Sequence, residues 1–189
     1  MGFRAIISKP LATFLLSKRN KWVKNPIEAQ AKVFQTLIKA GRKTTFGKDH
    51  HFDQINTPSD FIAHVPVQDY EDLKPYIERV VAGEKDVLWT GLPIYFAKTS
   101  GTTSGVKYIP ISKASIPYHI SSARDALLSY VQETGNSHFL DGSLIFLSGS
   151  PVLDVKGAVP TGRLSGIVNH HVPSYLRSNQ KPSYDTNCI

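Results

Sequence analysis

The sequence predicts an α/β fold, mainly helical to about residue 92 and built of short strands and a long helix beyond it. Three observations carry this. Capped segments with apolar residues at helical spacing fill positions 25–84. Two short β-branched and aromatic runs, PIYFAK and VKYIPI, follow from residue 93. A 20-residue amphipathic stretch, Ser115 to Thr134, then leads into the compact apolar run SLIFLSGS. At 189 residues with 41% hydrophobic side chains, the chain can bury roughly two-thirds of its unfolded surface, so a real core is expected. No repeat or linker divides it. It reads as one domain, 1–189, with a helical region 1–92 and a strand and helix region 93–189. The last nine residues, KPSYDTNCI, complete no element and form no polar tail, which predicts an incomplete domain.

Taken in order, NPIEAQAKVFQTLIKAG is a marked helix. Asn25 is placed to cap it, Pro26 suits its first turn, Glu28 follows three after the cap, and Gly41 closes it. Ile27, Phe34, Leu37 and Ile38 form its expected buried side. TPSDFIAHV and QDYEDLKPYIERVVAGE are two further helices, the second with Asp69, Glu71 and Asp72 where negative charge favours a helix start. The strands PIYFAK and VKYIPI flank a loop of hydroxyls and glycines. In the 115–134 helix, Ile116, Ile120, Ala123, Leu127, Tyr130 and Val131 fall at helical spacing, and Gly135-Asn136 ends it. SLIFLSGS reads as a buried strand. Beyond Pro151 glycines and prolines separate short segments.

The net charge of +7 is concentrated at one end. Residues 1–50 hold eleven Lys and Arg against Glu28 and Asp49, a net +9, and the other 139 residues carry −2. That distribution fits an accessory basic segment better than a nucleic-acid footprint, so neither nucleic acid nor membrane is expected as a partner. The competing reading is an anionic-surface module using Lys18, Arg19, Lys21 and Lys24 beside Trp22. Cys188, the single cysteine, excludes an intramolecular disulfide and a cysteine zinc site and points to a reducing, cytoplasmic setting. The run AIISKPLATFLL is 12 residues long and is broken by Lys9 and Pro10, too short to span a bilayer.

The chemistry concentrates in Thr99, Ser100, Gly101, Thr102, Thr103, Ser104 and Gly105. A Walker A loop is excluded, because Gly101 and Gly105 are one residue too close and Val106 stands before Lys107. Helix-borne phosphate motifs also need a helix directly after the loop, whereas KYIPI is strand-like. A glycine-rich, hydroxyl-rich loop between strands can still aim several N–H and O–H donors at one anion, with Lys98 and Lys107 at its rims. A triphosphate suits such a loop; an ordinary hairpin connection in a non-catalytic domain is the alternative from composition alone. Arg124 lies four after Ile120 and three before Leu127, on the largely apolar side of its helix. If buried it needs an anionic partner; at the edge it reaches water or a protein carboxylate. The pairs His50-His51 and His170-His171 diverge too far to chelate and read as hydrogen-bonded or surface residues; no metal ligands are assigned.

KTSGTTSGVKYIPIS resembles the first signature of the adenylate-forming enzymes. The loop with Lys107, Pro110, Ser112 and a following helix carrying Arg124, together with TTFGKDHHF and VPVQDYEDLKPYIERVVAGE upstream, resembles the auxin-responsive acyl acid amido synthetases, the Gretchen Hagen family. The resemblance implies the N-terminal part of the large adenylate-forming domain, inactive as this piece alone, of an ATP-dependent ligase. A carboxylic acid would attack the α-phosphate of ATP, pyrophosphate would leave, and an amine such as an amino acid would capture the acyl group. Residues Thr99 to Gly105 would hold the phosphates, Lys107 would be catalytic, and Arg124 would contact the acyl carboxylate. Mg2+ is implied with ATP.

Overall fold

The computed structural model of the chain describes residues 2–99, 105–173 and 177–188. In order these form α1 (Phe3–Lys24), α2 (Pro26–Gly41), α3 (Thr45–Asp49), α4 (Pro58–His64), α5 (Tyr70–Val81), β1 (Tyr95–Thr99), β2 (Lys107–Ile111) and α6 (Ile116–Thr134). A 3-10 turn (His138–Asp141), β3 (Leu144–Ile145), β4 (Asp154–Lys156), β5 (Val159–Arg163), α7 (Leu164–Asn169), β6 (Gln180–Lys181) and a helical turn at Tyr184–Asn187 follow. Two compact units result: residues 1–25, 114–153 and 162–189 in the first, residues 26–113 and 154–161 in the second. No described helix is long and apolar enough to cross a membrane.

In the first unit, α1 lies against α6 and the 3-10 turn through a stripe of mostly small residues, Ala5, Ser8, Ala12 and Leu16, all buried. Small side chains at this spacing let two helices approach closely. Ala12, Leu16, Leu128 and Val131 form the core, with Leu15, Phe139 and Leu140 packed on it. The first residue outside α1, Gly2, offers no side chain for capping; the cap comes from Asp141, whose carboxylate accepts from Gly2 N at 2.6 Å and Ala5 N at 3.3 Å. A negative charge there also opposes the positive end of the helix dipole. Arg19 donates to Ser129 Oγ at 2.6 Å, so one member of the basic cluster serves packing. The α6 helix ends where Gly135 takes φ +68°, a conformation glycine adopts without strain. Farther on, Asn169 bridges Ser148 Oγ at 2.8 Å and the side-chain amide of Gln180 at 2.7 Å, beside the parallel pair β3–β6.

The second unit holds two cores. Ile38, Phe52 and Ile55 form one with Phe34, Phe46, Phe61 and Val65. Ile77, Val80, Val87, Phe96 and Val159 form the other, joining α5 to the sheet, whose strand order is β2-β1-β5-β4. The TTFGKDHHF segment links these cores. Thr44 caps α3 by accepting from Gly47 N at 3.0 Å, while Thr45 N and Phe46 N donate to the carbonyls of Asp86 and Val87 at 2.8 and 3.0 Å. Phe46 stacks on His50 at 4.0 Å and meets the Tyr76 ring edge-on at 5.3 Å. Two helix starts carry capping boxes, Thr57 with Asp60 and Asp69 with Asp72.

The segment before Asn25 is a continuous helix with Pro10 inside it, capped and packed by residues more than a hundred positions away. Three expectations are corrected. Asn25 bonds back to Lys21 O at 3.3 Å and does not open α2. On α2, Ile38 is buried and Phe34 half-buried, but Ile27 and Leu37 are 78% and 51% exposed. SLIFLSGS is strand only at Leu144–Ile145, with Ile145 and Leu147 73% and 86% exposed.

A Cβ added at Gly47 would stand 2.1 Å from the carbonyl oxygen of Gly41, a backbone atom that cannot swing away. Gly47→Ala is expected to lower unfolding stability by about 1–3 kcal/mol, read as a reduced denaturation midpoint at unchanged slope. Burial, with His170 as a second cause, holds the His171 pKa below the usual 6.5. The unfolded chain therefore takes up this proton first, so stability present above 6.5 is lost as pH falls through the lower folded value. His171→Gln is expected to flatten the wild-type decline measured from about pH 7.5 to about pH 5.

Candidate functional site

The site is built on the hairpin of β1 and β2. Its register pairs Tyr95 with Ile111, Phe96 with Pro110, Ala97 with Ile109, Lys98 with Tyr108, and Thr99 with Lys107. Alternation along each strand puts Phe96, Lys98, Tyr108 and Pro110 on one face. Phe96 is fully buried on this face and meets the Tyr108 ring edge-on at 6.1 Å. That anchored face sets the register, since a slip of one residue would turn Phe96 out of the core.

The Thr99–Lys107 pair closes the ladder, and the hydroxyl and glycine loop leaves from there. Ser100, Gly101, Thr102, Thr103 and Ser104 lie outside the described residues. Thr99 and Gly105 are exposed. Gly105 has φ +79°, where a side chain would be strained although nothing stands within 4 Å of an added Cβ. A strand and not a helix follows the loop, as its sequence predicts.

The two lysines at the rims differ in electrostatic state. Lys98 is held in an ion pair and hydrogen bond by Asp154 of β4, so its charge is compensated. Lys107 makes no ion pair among the described residues; its ammonium stands 5.4 Å from the centroid of the Tyr70 ring. The Tyr70 hydroxyl accepts from the backbone N–H of Tyr108 at 2.9 Å, and Lys156 lies 5.2 Å from the centroid of the Tyr108 ring. An aromatic face attracts a cation through its quadrupole without cancelling its charge. Lys107 is thus the rim lysine whose charge no carboxylate compensates among the described residues. Sequence reasoning missed both partners. Asp154 lies 56 positions from Lys98 with no local pattern to connect them, and Tyr70 reads simply as the first residue of a helix.

Arg124 lies in the first unit and Lys107 in the second. The buried side of α6 runs through Leu128 and Val131, and the Arg124 side chain stands 43% exposed beside it. Its Nε and Nη2 donate to Oδ1 of Asp125 at 2.9 and 2.7 Å. Of the edge positions the sequence allows, this is the one paired to a protein carboxylate. In each histidine pair one ring is hydrogen-bonded to a backbone carbonyl, His50 Nδ1 with Phe46 O at 2.9 Å and His170 Nε2 with Pro151 O at 2.7 Å. Among the described residues no group of three or more His, Cys, Asp or Glu is placed to hold a metal ion.

The profile of the GH3 family N-terminal domain matches residues 15–186. Over 83 residues the chain is 34% identical to indole-3-acetic acid-amido synthetase GH3.2 of Arabidopsis thaliana, an alignment covering 43% of this chain and 15% of that protein. Over 125 residues it is 33% identical to indole-3-acetic acid-amido synthetase GH3.15 of the same plant, covering 65% of this chain and 20% of that one. Among solved structures, the AtGH3.15 acyl acid amido synthetase in complex with 2,4-DB superposes with a TM-score of 0.74 at 21% identity, covering 92% of this chain and 30% of that one. A second structure, of the GH3.15 acyl acid amido synthetase, gives 0.64 at 22% identity over 79% of this chain and 27% of that one. These likenesses show a shared fold, and this chain spans less than a third of each relative. With its residues 15–186 matched to that family's N-terminal domain, the chain belongs to the GH3 family.

Proposed function

We propose that this chain supplies the phosphate-holding part of an ATP-dependent ligase that adenylates a carboxylic acid and passes the acyl group to an amine such as an amino acid. One observation supports this above the others: the loop departs from a ladder whose last pair places Lys107, charged and without an ion-pair partner among the described residues, at its rim. Phosphoryl chemistry of this kind needs alignment and charge neutralisation more than covalent help from the protein. In this reading Thr99 to Gly105 present N–H and O–H donors to the β- and γ-phosphates, and Lys107 adds a point charge. Arg124 takes the acyl carboxylate, a role for which its fork is suited and in which the substrate would replace or share the Asp125 contact. The described residues assemble no carboxylate and histidine cluster for Mg2+, so no step is assigned to it.

Release of pyrophosphate from ATP that depends on added carboxylic acid, measured on the complete gene product, tests the reading; its absence sinks it. In the same assay Lys107→Ala is expected to lower kcat/KM for ATP roughly 10- to 100-fold, the scale of one charged hydrogen bond to phosphate. Arg124→Ala is expected to raise the KM for the acid about tenfold or more while leaving that for ATP within about twofold. Equal effects on both substrates would remove Arg124 from the acyl site.

A further inference from the structure

We infer that Tyr70 is the positioning residue for Lys107, a role that rests on the reading of Lys107 as the cation for the triphosphate. Tyr70 opens α5 directly after the Asp69 cap, and its backbone is set by reciprocal bonds: Asp69 accepts from Glu71 N and Asp72 N at 2.8 and 3.1 Å, and Asp72 accepts from Asp69 N at 3.0 Å. The ring is half-buried against the core of Ile77, Val80, Val87, Phe96 and Val159. Its hydroxyl is bonded to the N–H of Tyr108, the residue next to Lys107. Ring, hydroxyl and helix start are therefore all fixed before any ligand arrives.

A free lysine has a long flexible stem, and ordering it on binding an anion costs conformational entropy. Resting the ammonium on a fixed ring removes part of that cost. The identity of the group matters. A carboxylate in the same place would hold Lys107 equally well but would cancel its charge, as Asp154 does for Lys98. An aromatic ring holds the cation and leaves its charge for the phosphate. The pairing also links the YEDL stretch to Lys107 and Tyr108 at the start of β2.

Two measurements test this. In the protein with 13C-methylated lysines, the Lys107 signal, assigned by its loss in Lys107→Arg, should be displaced by the Tyr70 ring current. It should stay displaced in Tyr70→Phe and return among the exposed lysines in Tyr70→Leu. Titration calorimetry of the complete gene product with ATP then provides a double-mutant cycle. Tyr70→Leu should weaken binding about threefold to tenfold, and Tyr70→Phe much less. In a Lys107→Ala background, Tyr70→Leu should have almost no further effect. An undisplaced Lys107 signal, or an equal loss in both backgrounds, overturns the inference and leaves Tyr70 a core residue. If the wild type shows the displaced signal but binds no ATP, the nucleotide reading itself has failed, and the role of Tyr70 falls with it.

Discussion

The cross-strand pairing of Thr99 with Lys107 is the constraint on which the proposed chemistry depends. A cation is useful at a phosphate loop only on the right face and at the right step of the ladder. Neither is set by the loop itself. Both come from Phe96, fully buried three residues before Thr99, and from the pairs that carry its register to the end of the strands. The α5 core, which includes Ile77 and Val80, in turn gives Phe96 its place. Lys107 is thus placed by the anchored hairpin, as ligand-binding groups at loop rims commonly are by a rigid scaffold.

The basic first fifty residues resolve into separate uses. Arg19 bonds to α6, Lys18 lies 4.5 Å from the Phe14 ring centroid, and Lys32 and Lys39 stand exposed on α2. The net charge summed over fifty residues is therefore divided between α1 in one unit and α2 in the other. In the site the balance is finer. One lysine is neutralised and one is left charged, and the difference is a carboxylate against a ring.

Much of this was legible in the residues. Local signals work where local interactions decide: Thr57, Asp69 and Gly135 behave as helix boundary residues should, and the strand pair around the loop follows from β-branched and aromatic content. Sequence pattern failed where the deciding group was remote. The helix start at Phe3 is capped by Asp141, and Lys98 is paired with Asp154. It failed again where apolar periodicity was taken as burial: Ile27 and Leu37 repeat at helical spacing yet face outward, as do Ile145 and Leu147 in an apolar run. Apolar spacing states which face could be covered; it does not state that something covers it.

The cap on α1 has a consequence for synthesis. The carboxylate that completes the helix start is 139 positions downstream of Gly2, and Leu128 and Val131, which cover its packing side, arrive only shortly before it. A ribosome adding roughly 5–20 residues per second needs on the order of ten seconds to cross that interval. For that time the first segment has its Phe, Ile and Leu side chains but no partner to dock on. Its docking is therefore deferred until those partners emerge, so α1 is synthesised well before the residues that seat it and takes its place late in the assembly of its unit.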